Sequence, residues 1–148
     1  MMIDDVTSSG AMPVLEATMR FAGARNRILA HNIANLDTPD FRPMDVSPTG
    51  FQAQLRKAVE ERRARSGGAH GGLSSLGIQD SREVQFSPSG NIQLKPRTSS
   101  SNILFHDRNN RDLEKSVQSI VENVGVFRVA SDLLRSKYET LRIAMTER

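Results

Sequence analysis

The chain has no cysteine, no tryptophan and a single tyrosine. Without cysteine it can form neither disulfides nor thiolate metal sites, and the compartment stays open, because a cysteine-free chain survives in any redox environment. Hydrophobic residues make up 37% of its 148 residues and aromatics 5%, which is little apolar bulk for one large core. An elongated helical protein that buries its apolar face against partners is the expectation. No apolar run nears the roughly 20 residues of a membrane span. Residues 1–12 also lack the basic start and apolar centre of a cleaved signal peptide, and are expected to be a flexible lead.

Clustered charge of one sign is scarce too. Twenty Lys and Arg stand against 17 Asp and Glu, a mild imbalance, whereas nucleic-acid footprints are clustered. The densest basic stretch, Arg56, Lys57, Arg62, Arg63 and Arg65, is interrupted by Glu60 and Glu61 and has no aromatic for base stacking. It reads as a solvated helix face. Catalytic and metal chemistry are equally thin. His31, His70 and His106 show no metal-ligand spacing, and the glycines between 67 and 72 have neither a preceding strand nor a following Lys-Ser/Thr pair. No enzyme activity, cofactor or metal is expected.

What the sequence does contain is periodicity. From Leu15 the spacing alternates four and three through Met19, Ala22, Asn26, Leu29, Ile33 and Leu36, the pattern of a helix packed lengthwise on another helix. Pro13 suits its first turn. Asn26 lies in this seam, where a polar residue penalises wrong registers or faces a water-filled gap, and Arg20, Arg25 and Arg27 fall off it, as solvent or intersubunit contacts. A second pattern follows the capping residues Asn109 and Asn110. It runs Leu113, Val117, Ile120, Val124, Phe127, Ser131, Leu134, Tyr138, Leu141, Met145, again at four and three throughout. Val121, Val126, Val129, Leu133 and Ile143 widen its stripe and imply more than one neighbour. Gly125 costs this helix about 1 kcal/mol relative to Ala, which favours close approach of another backbone there.

Between the two patterns the chain is polar and rich in loops. Pro43, Pro48 and Gly50 mark 42–50 as loop, and Phe51, Leu55, Ala58 and Val59 give residues 51–65 the narrow apolar face of a short helix. Residues 66–75 are glycine-rich and read as a linker. Alternation at Val84-Gln85-Phe86 and Ile92-Gln93-Leu94, around turn-forming residues, predicts a possible hairpin over 84–94 that needs other elements to rest on. The fold class is thus mainly α. A lead (1–12), an N-terminal helix (13–37), a loop-rich middle (38–110) and a C-terminal helix (111–148) follow in order, with the two long helices paired antiparallel as in a coiled coil.

The first long pattern stops at residues 30–41, Ala-His-Asn-Ile-Ala-Asn-Leu-Asp-Thr-Pro-Asp-Phe. Pro39 presets a turn, and Asn32 and Asn35 lie on one side of the helix end, where their amides can bond backbone carbonyls or a neighbouring chain. Asn32, Ile33, Ala34, Asn35, Thr38, Pro39 and Phe41 resemble the N-terminal signature of bacterial flagellar rod and hook proteins, Asn-x-Ala-Asn-x-x-Thr-x-Gly-Tyr. Phe41 replaces its tyrosine. Asp40 stands where that signature has glycine; it tolerates a positive backbone angle less readily and also suits a type I turn. The C-terminal segment, from Asn109 to Ile143 through Phe127, Leu133, Leu134, Lys137, Tyr138, Leu141 and Arg142, resembles the proximal rod subunits of that family.

The resemblance covers about the first and last forty residues. It implies a structural subunit of the proximal rod of the basal body, assembling helically through its terminal helices, transmitting torque and lining the export channel. Its partners would be its own copies, other rod and basal-body proteins, and the flagellar type III export apparatus. Export would proceed without a cleaved signal, into the periplasmic part of the envelope, with no membrane span and no nucleic acid. A cytoplasmic coiled-coil adaptor, or a basic regulator binding a helical partner or nucleic acid, accounts for the periodicity equally well. It does not account for the signature at 32–41.

Overall fold

The computed structural model describes residues 11–65, 76–87, 91–98 and 113–146. The expected N-terminal lead, apart from Ala11 and Met12, the glycine-rich linker and the capping pair Asn109 and Asn110 lie outside the described residues. The order of elements is α1 (Met12–Ala34), β1 (Met44–Asp45), α2 (Pro48–Arg65), β2 (Val84–Phe86), β3 (Ile92–Leu94), β4 (Arg97–Thr98) and α3 (Leu113–Thr146). The protein is mainly helical.

The two long helices pack against each other antiparallel. Glu16 accepts a hydrogen bond from the Tyr138 hydroxyl (3.3 Å), Met19 sulfur one from Ser131 (3.4 Å), and the Ala22 carbonyl one from Asn123 Nδ2 (2.8 Å). As the α1 residue number rises, its partner's falls. Asn123 is buried, and a buried amide whose bond forms in one alignment only is the register device that the sequence reading placed at Asn26. Asn26 itself is exposed.

A second face of α1 carries the middle of the chain. Ala17 and Phe21 join Val46, Phe51, Leu55 and Val84 in one buried cluster, with Val14, Ile28, Ile78 and Phe86 packed around it. The Phe21 and Phe51 rings stack at 4.0 Å and 2°; aromatic pairs add about 0.5–1.5 kcal/mol beyond their buried area. α1 is therefore buried on two sides, and its apolar stripe is broader than a single seam.

The strands form two antiparallel pairs. Val84 pairs with Leu94 and Phe86 with Ile92 in the expected hairpin, while Met44 pairs with Thr98 and Asp45 with Arg97 in a short ladder that the sequence did not suggest. Two-residue strands carry too little alternation to be read from sequence. α2 begins at Pro48, three residues before the expected start. Ser47 is the reason: its Oγ accepts the Gly50 N–H (3.0 Å) as an N-cap, and Pro48 occupies the first helical position. Pro48 and Gly50, read as loop formers, are the first turn of a helix.

Candidate assembly surface

α1 ends at Ala34, and the residues after it build the chain reversal. Leu36, expected within the helix, lies beyond it and is half-buried. Asn35 donates from Nδ2 to the His31 carbonyl (2.9 Å), satisfying one of the acceptors that a helix end leaves open. Thr38 N–H donates to the Asn35 carbonyl (3.0 Å), and Phe41 N–H to the Thr38 carbonyl (3.3 Å). That last bond closes a four-residue turn with Pro39 second and Asp40 third. Asp40 has φ +58°, the left-handed conformation of the third position in a type II turn, rather than the type I geometry that Asp also suits. The backbone keeps the shape for which the signature carries glycine. Phe41 then sets its ring edge-on to His31 at 5.7 Å.

Asn32 has a different task. It is buried, its Nδ2 donates to the Met44 carbonyl (2.7 Å), and its Oδ1 accepts the Met44 N–H (3.1 Å). One amide thus satisfies both backbone groups of the residue that opens β1. One residue on, Asp45 receives Arg25 in a two-point ion pair, Nε to Oδ1 at 2.8 Å and Nη2 to Oδ2 at 2.6 Å. Arg25, expected at the surface, is buried. No apolar pattern could place it, because its partner lies 20 residues on and across a turn.

The expected seam of α3 is divided by the fold. Leu134 is buried against α1, Ile120, Val124 and Leu141 are half-buried, and Leu113, Val117, Phe127, Tyr138 and Met145 are exposed. On α1, Ala22 and Leu29 are buried, and Leu15, Met19 and Ile33 half-buried. The residues of α3 that are fully buried are Asn123, Ala130 and Leu134. Two of these three lie one position before a seam residue, Val124 or Ser131, so the contacting stripe is rotated by about a third of a turn at those levels. Small Ala130 and hydrogen-bonding Asn123 let α1 come close, while Val121, Val126 and Val129 are exposed and Val124 is half-buried.

The consequence is an unusual surface. Among the described residues, every exposed large hydrophobic lies on α3: Leu113, Val117, Val121, Val126, Phe127, Val129, Leu133, Tyr138, Ile143 and Met145. The outer side of α1 is polar or small by contrast, with Arg20, Asn26, Arg27, Ala30 and Ala34 exposed. Beside α3 and α1 runs an open groove of about 390 Å³, lined by Met19, Leu134, Arg135, Tyr138 and Arg142 among others. Tyr138 has its pKa raised above the usual phenol value, by desolvation first and then by the negative charge of Glu16, whose carboxylate accepts its hydrogen bond.

The fold thus presents an antiparallel pair of long helices, a braced reversal after the first, and exposed hydrophobics along the second. No family model matches the chain. Individual relatives do. Flagellar basal body rod protein FlgB of Borrelia hermsii is 26% identical over 123 residues, 82% of this chain and 84% of that protein. The proteins of the same name from Yersinia enterocolitica and Yersinia ruckeri are 36% and 33% identical over 84 residues, spanning 57% of this chain and 53% of each of theirs. What the chain is similar to, over most of its length in the first of these and over its better half in the other two, is therefore a flagellar basal body rod protein.

Proposed function

We propose that the chain is a proximal-rod subunit that stacks helically on copies of itself and on other rod proteins, with α3 supplying the principal contact surface. The single observation that carries this reading is the confinement of exposed large hydrophobics to α3. An apolar surface of that extent on a monomer marks a protein contact. One interface repeated without closure yields a helical stack, and the polar outer side of α1 leaves α3 as the element from which it is made. Torque transmission through these contacts, lining of the export channel and passage through the type III apparatus to the periplasmic rod belong to the same proposal, and rest on the family.

Peptide mass spectrometry of detergent-extracted basal bodies, with whole membranes as control, tests it. Enrichment of this chain alongside other rod subunits is the expected result. Its absence from well-preserved basal bodies would overturn the assignment.

A further inference from the structure

One flank of α3 carries charges that form no ion pair among the described residues. Arg128, Asp132, Arg135, Glu139 and Arg142 follow one another at spacings of four, three, four and three, and all five are exposed. They therefore share one face of the helix. Alternating charge on a helix ordinarily forms ion pairs within that helix. Such pairs do occur elsewhere in this protein, between Arg20 and Glu16 and between Lys57 and Glu61. None joins members of the α3 row among the described residues. In the two pairs four residues apart, Arg128–Asp132 and Arg135–Glu139, the base precedes the acid, the weaker order. Asp132–Arg135 and Glu139–Arg142, three apart with the acid first, also form no ion pair.

We propose that this charged ladder binds a second copy of the chain, with the two α3 helices antiparallel and the two-fold axis between Asp132 and Arg135. In that register Arg128 faces Glu139 of the partner subunit, Asp132 faces Arg135 of the partner subunit, and symmetry repeats both contacts. Every facing pair is then of opposite sign. An axis through Arg135 would set base against base and acid against acid, as would a parallel pair in register. A parallel pair displaced by one step matches charges but leaves the two copies inequivalent, whereas the antiparallel pair closes on itself.

Gly125 fits this register. A Cβ built there meets nothing within 4 Å of its own chain, so packing on α1 does not require glycine. In the antiparallel pair it lies opposite Arg142 of the partner subunit and leaves room for the arginine stem. Val121, 65% exposed, lies opposite Thr146 of the partner subunit. The contact is short and built on exposed charges, so it is weak and salt-sensitive. Repetition along a rod keeps every copy pointing the same way, so this pair forms between free chains and separates on incorporation.

Sedimentation of the full chain at low and high salt tests the pairing. A dimer at low salt that dissociates at high salt is expected, with Arg135→Glu weakening it about tenfold or more and Asp132→Arg/Arg135→Glu restoring it. The cysteine-free chain allows a direct check of direction. Mixed Val121→Cys and Thr146→Cys chains should form the mixed disulfide in preference to either homodimer. A monomer at low salt, a dimer indifferent to Arg135→Glu, or preferred Val121→Cys homodimers would each overturn the proposal.

Discussion

Asn32 and Met44 exchange two hydrogen bonds, so that a side chain on the last turns of α1 takes the place of a neighbouring strand for the first residue of β1. Asn32→Ala removes both bonds and leaves two backbone groups of Met44 without their partner. A loss of about 1–3 kcal/mol is expected, seen as a lower urea midpoint with unchanged m-value. Asn32→Asp keeps the acceptor but sets a buried carboxylate oxygen against the Met44 carbonyl, and should cost at least as much as Asn32→Ala.

Asp40 is the described non-glycine residue with positive φ. Left-handed backbone costs an L-residue roughly 1–2 kcal/mol, which the extra unfolded-state freedom of glycine partly offsets. Asp40→Gly should therefore stabilise the protein by up to about 1 kcal/mol, and Asp40→Val should destabilise it. Thermal unfolding of both variants reads the difference. Destabilisation by the glycine would mean that the Asp side chain itself holds the turn.

How far the sequence speaks is clear from these residues. Heptad spacing found both long helices, because they repeat one local rule over many residues, and apolar–polar alternation beside turn-forming residues found the hairpin. The signature at 32–41 marked the reversal. It could not assign Asn32 to Met44, or Arg25 to Asp45, since each bond depends on where a turn returns the chain. The same limit explains the α3 seam: spacing identifies an apolar stripe, while Asn123 and Ala130 decide which edge of that stripe meets α1.

Tyr138 couples the helix pair to alkaline pH. Its folded pKa is raised above 10.0, chiefly by desolvation and then by Glu16, so the folded state holds this proton longer than the unfolded chain does. Stability from this group is complete below the unfolded value and is lost as pH rises through the folded one. Unfolding followed between about pH 9 and 11 should show that decline, with a smaller slope in Tyr138→Phe. Equal slopes would remove Tyr138 from the account.

Leu133 and Leu134 are adjacent and do different things: Leu134 is buried against α1, and Leu133 is 50% exposed. Leu134→Asp places a charge inside the helix pair and should cost several kcal/mol of stability. Leu133→Asp should change the isolated chain by no more than about 0.5 kcal/mol, while placing a charge in the surface proposed to meet the next subunit. Incorporation of Leu133→Asp into basal bodies, set beside its unfolding midpoint, is the most direct test of the central claim. A chain as stable as the unaltered one yet absent from extracted basal bodies is the predicted result; normal incorporation and normal motility would contradict assembly through the outer side of α3.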